Sequence, residues 1–301
     1  MGSKQIISAL LNEHAFSPIT GQFLAIGRST VYTPKNVLTD LFNKYKIPTE
    51  TLQSIYSSNK YIDNSTRRST GEITDDALIA SFSGCQYNCL DISGYEGADI
   101  IHDMNTPIPQ DYHGKYDFIY NGGCMDNMFD PVTCIKNTAK MLSPNGRIVH
   151  AESATAMAGY YLTFSPEWFF SYYAINNFYD CKVYVVVARE PYKDIGRKIF
   201  DADLFLWRPY FTRTQDYNYI EGCRSVDGLM LLIVVAQKGR HSTSDTIPIQ
   251  SHYLRPSDTD WRARYEDFCA TPRPLLKPDF YYGNVTLPLL SDHYQYLGSG
   301  F

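Results

Sequence analysis

The sequence predicts an α/β protein built on a mostly parallel sheet, and three observations carry that prediction. Between residues 21 and 151, short β-branched or aromatic runs alternate with helix-like stretches, which is the pattern of parallel strands joined by crossover helices. The helix-like stretches begin and end at residues typical of helix termini. Two further apolar runs after residue 151 can pair as an antiparallel edge. Together these features predict a Rossmann-like, doubly wound sheet with an antiparallel edge strand and a C-terminal extension.

Each element of the first half has its own signal. The stretch 33–46 opens with Thr33 and Pro34, which are typical of a helix cap and a first turn, and its apolar residues fall on one helical face. The stretch 74–84 has an acidic start and a glycine stop, and 130–146 runs from Asp-Pro to a Ser-Pro-Asn-Gly turn. The predicted strands between these helices are 23–26, 87–92, 98–102, 116–120 and 146–150.

The second half of the sequence has a different residue pattern. Residues 165–178 predict a helix with an aromatic face, and 182–190 and 228–238 predict two buried strands. After residue 238 little periodicity remains. We therefore predict an α/β domain over 1–238 and a C-terminal arm over 239–301, packed either on the body or on a partner subunit, so that the arm could form a homodimer.

Composition narrows the class of protein. The 301 residues carry a formal net charge of −5 and contain no block of Lys and Arg, which argues against a nucleic-acid partner. No apolar run approaches the roughly 18 to 20 residues of a membrane helix, so no membrane partner is predicted. The seven cysteines are odd in number and include no Cys-x-x-Cys pair, which predicts reduced thiols, a cytoplasmic protein and no metal site.

Polar residues and glycines lie where the predicted strands end. They are Gly27, Asp91, Asp103, Asn121 and His150. In an open α/β sheet, ligands bind beyond the carboxyl ends of the strands, where the strand order switches. An acid at a strand end is often only a cap or a turn residue, but the joint placement of these five favours a ligand site.

The order of these residues carries a family resemblance. Within 89–152, an acid, a second acid, the sequence Asn-Gly-Gly and then the run MLSPNGRIV follow one another. The stretch resembles the middle of a class I S-adenosylmethionine-dependent methyltransferase, of the kind assigned to small molecules or sugars. The resemblance covers residues 23–188 and implies S-adenosylmethionine as the cofactor.

The resemblance implies roles for the strand-end residues. Asp91 would accept hydrogen bonds from the ribose hydroxyls, and Ile92 would lie against the adenine. Asp103 would take the adenine amino group, with Met104 beside it. A carboxylate bridging a diol is a strong charge-assisted contact, and an apolar neighbour can cover a planar ring.

The methionine end of the cofactor would lie at two loops. Asn121 and Gly122 would line it by resemblance. The first loop departs from the family pattern, because AIGRSTVY has only Gly27 where several glycines are usual. Arg28 can pair with the cofactor carboxylate. The alternative is that this loop only turns a corner and the cofactor pocket is altered or lost.

Catalytic groups are less evident. Many relatives have an acid-His pair after the fourth strand, whereas this chain has Asp126 followed by Asn127. His150 ends the fifth strand, and Asp126 and His150 are the candidate catalytic residues. A lone histidine is more often structural than catalytic. Methyl transfer to an amine or thiolate needs little beyond alignment, whereas a hydroxyl gains from a general base.

The acceptor is predicted to bind at an aromatic run that follows the fifth strand. The candidate contacts are Tyr160, Tyr161, Phe164 and Trp168. A small-residue approach precedes them, which suits a lid over a small acceptor. Aromatic residues at helical spacing are more often core than pocket, so a structural role stays open.

Three functions are compatible with this pattern. The first is S-adenosylmethionine-dependent methyl transfer to a small polar metabolite or sugar-like acceptor. The second is a catalytically inactive methyltransferase-like subunit that serves binding or assembly. A nicotinamide-dependent oxidoreductase ranks last, because the motif Gly-x-Gly-x-x-Gly is absent after the first strand.

Overall fold

The computed structural model describes residues 2–58, 72–155, 160–189, 201–209, 229–250, 259–281 and 294–301. These residues form a nine-stranded sheet and a separate two-stranded ladder. The strands are β1 (Gln22–Ile26), β2 (Thr30–Val31), β3 (Ile73–Thr74), β4 (Gln86–Asp91), β5 (Ile100–Ile101), β6 (Tyr116–Gly122), β7 (Leu142–Ser153), β8 (Asp180–Ala188), β9 (Ala202–Trp207), β10 (Met230–Gln237) and β11 (Tyr294–Gly298). The small ladder pairs β2 with β3.

Helices cover both faces of the large sheet. They are α1 (Lys4–Phe16), α2 (Lys35–Lys44), α3 (Glu50–Ser57), α4 (Asp75–Phe82), α5 (Pro131–Met141), α6 (Pro166–Ile175) and α7 (Thr259–Ala270). Helix α5 begins as its sequence predicts, because the Asp130 side chain accepts a hydrogen bond from the Thr133 N–H at 3.0 Å. None of the helices in the described ranges combines the length and hydropathy of a membrane-spanning segment.

The strand order is β11-β9-β8-β10-β7-β6-β1-β4-β5. The five strands from β5 to β7 in this order are parallel to one another. Strand β10 then pairs antiparallel with both β7 and β8, which confirms the predicted antiparallel pair of late strands. The edge strand β11 comes from the C-terminal arm and pairs antiparallel with β9. The predicted fold class is confirmed.

Alternation along the strands divides the core into two layers. On β6, Phe118 and Tyr120 pack against the side of the sheet that α1 to α4 cover, whereas Ile119 packs on the side of α5 to α7. Both faces of the central strands are therefore buried, as a doubly wound sheet requires. Six described cysteines are free thiols, and Cys223 lies outside the described residues.

The described parts of the C-terminal arm pack on the body. Tyr265 and Phe268 of α7 are buried beside Phe170, with ring centroids 5.0 and 5.3 Å away from it. At the chain end, Gln5 of α1 donates a hydrogen bond to the Phe301 carbonyl at 2.7 Å. The division at residue 238 and a homodimer through the arm stay predictions.

A buried ion network joins the arm to the sheet. Arg273 contacts Glu13 of α1 at 2.7 Å and Asp180 of β8 at 2.6 Å. Arg147 also contacts Glu13, at 3.1 Å, and Lys182 contacts Asp180 at 2.8 Å. All five side chains are buried, so each charge depends on its partners in the network for compensation.

Candidate functional site

The strand order reverses between β1 and β6. The chain runs outward from β1 through β4 to β5 and then returns to β6 on the other side of β1. In an open α/β sheet this switch point opens a crevice at the carboxyl ends of the strands, where ligands bind. Ile26 pairs with Asn121 at this end, so the loops that begin at Gly27 and Gly122 are neighbours. We call the space between these two loops the crevice.

Gly27 turns the chain at the crevice. Its φ of +77° lies in the left-handed region that favours glycine, and its N–H donates to the Leu90 carbonyl at 2.8 Å. A Cβ at this position would lie 2.6 Å from the Cys124 Sγ. That thiol in turn donates to the Ile26 carbonyl at 3.0 Å. The single glycine of the first loop is therefore required by both backbone conformation and space.

Arg28 is held by a buried carboxylate that the sequence analysis did not connect with it. Its Nη1 contacts Asp75 Oδ1 at 2.9 Å, and its Nε donates to the Glu96 carbonyl at 3.3 Å. Tyr87 donates from its hydroxyl to Asp75 at 2.7 Å. Burial raises the pKa of Asp75, and the charge of Arg28 opposes that rise. Within the described ranges Nη2 has no partner, so one edge of the guanidinium remains for a ligand carboxylate.

We expect Arg28→Ala to destabilise the fold even when no ligand is present. The change leaves Asp75 buried without its cation, which costs roughly 2 to 3 kcal/mol of unfolding free energy. Urea unfolding followed by circular dichroism measures the loss. Arg264→Ala is the matched control, because that arginine is exposed. A stability equal to the control would show that Asp75 does not depend on Arg28.

The end of β4 presents a carboxylate and an apolar surface. Asp91 accepts one long hydrogen bond, at 3.4 Å from the Ser93 N–H. The neighbouring Ile92 side chain is 66% exposed. A carboxylate with spare acceptor capacity next to an exposed aliphatic side chain has the chemistry that a ribose and its base need.

The two residues after β5 differ in their placement. Asp103 lies at the surface and accepts two hydrogen bonds from Asn105, at 2.9 Å from its N–H and 2.8 Å from its side-chain amide, and these lower the pKa of Asp103. The Met104 side chain is buried in the α5 layer of the core beside Asn137. That Met104 lies beside an adenine stays a prediction, and its buried side chain does not present an open surface for the ring.

His150 is not an accessible base, contrary to the prediction. Its Nδ1 lies 3.2 Å from the Asn121 amide nitrogen, and its Nε2 lies 2.6 Å from the Tyr173 hydroxyl. The ring is fully buried, and burial lowers the pKa of His150 to about 3. A neutral imidazole with both nitrogens bonded inside the protein is structural, because neither nitrogen is left to take a substrate proton.

Two carboxyl groups lie together, one in the turn after β6 and one near the end of β7. The Asp126 N–H donates to Glu152 Oε2 at 3.2 Å, and Asp126 itself accepts from the Ser153 N–H at 3.3 Å and from the Asn127 amide at 2.7 Å. Burial raises the pKa of Asp126 to about 6. Burial and then the charge of Asp126 raise the pKa of Glu152 well above its usual value. We call Asp126 and Glu152 the carboxyl pair.

Three buried polar atoms around the crevice have no hydrogen-bond partner in the described part of the chain. They are the Tyr120 hydroxyl, Asn121 Oδ1 and Glu152 Oε1. The Tyr120 hydroxyl occupies the space that a Cβ on Gly122 would need, so Gly122 allows this close approach. Unpartnered buried polar atoms are costly, and several together at a switch point indicate a place for a ligand.

The predicted acceptor contacts divide into two groups. Tyr161 is 70% exposed, and its backbone N–H donates to the Asp126 carbonyl at 2.8 Å, which places this segment over the carboxyl pair. Tyr160 is also exposed. Phe164 is buried in the core, with its ring centroid 4.9 Å from that of the half-buried Trp168, which favours the structural role for Phe164. Its spacing from Trp168 reflects packing.

A cavity of about 760 Å³ lies elsewhere, between the carboxyl-terminal ends of α1, α2 and α4. Asn12, Lys44 and Ser81 are among its lining residues. The strands β1 and β4 begin shortly after α1 and α4, so this cavity is at the amino end of the sheet. It is separate from the crevice and provides an internal comparison for ligand-binding experiments.

No family model and no curated protein matches this sequence. Among solved structures, it is similar to Haemonchus contortus phosphoethanolamine N-methyltransferase 2, at 14% identity over 77% of this chain and 52% of that chain, with a TM-score of 0.39. It is also similar to a SAM-dependent methyltransferase from Archaeoglobus fulgidus, at 10% identity over 79% and 95%, with a TM-score of 0.37. A third is StiE O-MT, at 13% identity over 88% and 79%, with a TM-score of 0.39. The chain thus spans about half the length of the first of these structures.

Proposed function

We propose that this chain is an S-adenosylmethionine-dependent methyltransferase that acts on a small polar acceptor. The observation that carries the proposal is the convergence at the switch point of a left-handed Gly27, the carboxylate of Asp91 and unpartnered buried polar atoms. A ligand with a diol, a flat base and a charged amino-acid end would use all three.

The residues at the crevice fit that cofactor. Asp91 would hold the ribose hydroxyls, Ile92 would cover one face of the adenine, and Asp103 would take its amino group. Asn121 Oδ1 and the Tyr120 hydroxyl, which are buried and unpartnered, would bind the methionine end. When bound, the cofactor supplies a methyl group that is activated by a positively charged sulfur.

The electrostatic environment supports the same cofactor. Burial raises the pKa of the Cys124 thiol, and the neighbouring Glu152, Asp91 and Asp126 add to that rise, so the crevice is surrounded by acidic side chains. An acidic site attracts a cationic ligand and disfavours a polyphosphate. This polarity suits a sulfonium compound better than a dinucleotide, which agrees with the low rank of the oxidoreductase alternative.

The alternative of an inactive binding subunit rests on one observation. His150 is buried with both nitrogens bonded, so the histidine base that the sequence offered is not accessible. Calorimetric titration with S-adenosylhomocysteine tests the cofactor, and NAD is the comparison ligand. We expect saturable binding of S-adenosylhomocysteine and none of NAD. Binding of NAD alone would contradict the proposal, and binding without turnover would favour the inactive subunit.

We expect Asp91→Ala to weaken S-adenosylhomocysteine binding and to leave the fold intact. Loss of a charge-assisted contact to the ribose should cost about 1.5 to 3 kcal/mol, or at least tenfold in affinity. Calorimetry measures the affinity, and Asp40→Ala is the control because Asp40 is exposed on α2, away from the crevice. An unchanged affinity in folded Asp91→Ala would remove Asp91 from the site.

A further inference from the structure

We propose that the carboxyl pair, Asp126 and Glu152, binds the acceptor as a protonated amine and takes up its proton. The acceptor class would then be amines and not alcohols. This inference rests on the proposed function for the methyl donor, but the cation site itself is defined by this chain's own residues.

The pair is built to accept one more hydrogen-bond donor. Both Asp126 oxygens are bonded, to the Ser153 N–H and the Asn127 amide, and Glu152 Oε2 is bonded to the Asp126 N–H. Glu152 Oε1 is left without a partner in the described ranges, although the side chain is only 1% exposed. A buried carboxylate oxygen needs a donor, and the described residues supply none to Glu152 Oε1.

The other buried carboxylates of the described chain show what is missing here. Glu13 and Asp180 each contact Arg273, and Asp75 contacts Arg28. No Lys or Arg in the described residues contacts Asp126 or Glu152. Buried charges in proteins are normally paired. Among the described residues, Asp126 and Glu152 are the exception, and they lie beside the crevice, where a ligand can bring the cation.

An ammonium group meets the requirement of the pair better than a hydroxyl does. Its positive charge compensates the carboxylate, and its N–H groups can bond to Glu152 Oε1. The ionised carboxylate, which becomes a stronger base when burial raises its pKa, can also take a proton from the ammonium ion. It cannot take a proton from a hydroxyl, which is far too weak an acid. In that step the N–H bond breaks, an O–H bond forms on the pair, and the electron pair stays on the nitrogen.

The titratable groups near the carboxyl pair do not compete with a bound amine. Among the described residues, Cys124, Cys134 and Tyr120 interact electrostatically with the pair, and burial raises the pKa of all three, which keeps them neutral. None of them brings a positive charge, so a bound amine has no competitor among them.

Two exposed aromatic rings lie at the rim above the pair. Phe129 is 86% exposed, and its ring packs edge-on against Tyr161, with centroids 6.1 Å apart. Tyr161 is anchored to the Asp126 carbonyl, so the rim and the pair are continuous. Aromatic faces attract ammonium ions and their methylated products.

The first test measures cation binding without turnover. Carboxyl ¹³C NMR with labelled Asp and Glu follows the titration of the pair in methylammonium chloride and in sodium chloride at equal ionic strength. We expect methylammonium to lower the titration midpoint by at least half a pH unit in the wild type. Glu152→Gln and, as a second variant, Asp126→Asn should abolish the difference, whereas Asp111→Asn, at an exposed position, should keep it. Equal midpoints in both salts for the wild type would overturn the proposal.

The second test identifies the acceptor class. The protein is incubated with S-adenosylmethionine labelled on its methyl group and a protein-free metabolite extract, either untreated or N-acetylated with acetic anhydride. Label transfer that requires free amines supports the proposal. Equal transfer to both extracts overturns the amine assignment and leaves the methyltransferase intact. If the wild type does not bind S-adenosylhomocysteine, the proposed function is contradicted. A shift of the titration midpoint in methylammonium would then indicate a cation site that is unconnected with methyl transfer. That result would also overturn the acceptor assignment.

Discussion

Arg273→Ala is expected to lower the free energy of unfolding by about 3 to 5 kcal/mol, because it breaks two buried ion pairs and leaves each of two buried carboxylates with one cation instead of two. Among the described residues, only Arg273 bridges Glu13 and Asp180, which lie on α1 and β8. Its removal leaves Glu13 with Arg147 and Asp180 with Lys182, in two separate pairs. Urea unfolding monitored by circular dichroism measures the effect.

The control for this change lies on the same arm. Arg264→Ala removes an exposed arginine from α7 and should leave stability nearly unchanged. If Arg273→Ala were as stable as this control, the arm would be an accessory to the body, and the division at residue 238 would gain support. A large loss would make the arm part of the folding unit.

Gly27→Val is expected to abolish S-adenosylhomocysteine binding. The φ of +77° is strained for a β-branched residue, at about 1 to 3 kcal/mol, and the new side chain would meet the Cys124 Sγ. Relief of that contact would push the first loop or Cys124 into the crevice. Thermal unfolding and calorimetry on the same protein separate the loss of stability from the loss of affinity.

Gly114→Val is the matched control for Gly27→Val. Gly114 has a φ of +65° and open space around its Cβ position, and it precedes β6 at the amino end of the sheet. It should reproduce the loss of stability with full ligand affinity. Full affinity in Gly27→Val as well would show that Gly27 only turns the chain and does not contact the ligand.

Adding Cys124→Ala to Gly27→Ala should restore part of the affinity for S-adenosylhomocysteine, because it removes the Sγ atom that the new Cβ meets.

The strands, helices and crevice of the first half follow from the sequence because their signals are local. Apolar runs, caps and turn residues locate the elements, and the doubly wound rule places Gly27 and Asp91 at one edge. The contacts of Arg28 were beyond such reasoning, because Asp75 is 47 residues away and resembled an ordinary helix-start acid. Arg273 meets Glu13 across 260 residues, in a segment without periodicity.

The roles of His150 and Glu152 could not be predicted from the sequence, for a physical reason. His150 and Glu152 lie two residues apart on β7 and therefore on the same face of the strand. Which of them reaches the site depends on what packs above, and α6 covers His150 with Tyr173 while Glu152 lies under the turn at Asp126. The position of a residue at a strand end does not show which side chain reaches the site. The available signal was that an acid, Glu152, follows His150 by two residues.

The central claim is that the crevice between the β1 and β6 loops binds an adenosyl cofactor, and hydrogen exchange tests it most directly. Amide exchange is measured by mass spectrometry with and without S-adenosylhomocysteine. We expect slower exchange in peptides that cover residues 26–30, 90–96 and 120–126, and no change at residues 12–16 and 44–48 around the separate cavity. Protection at that cavity, or no protection at the crevice under saturating ligand, would contradict the account.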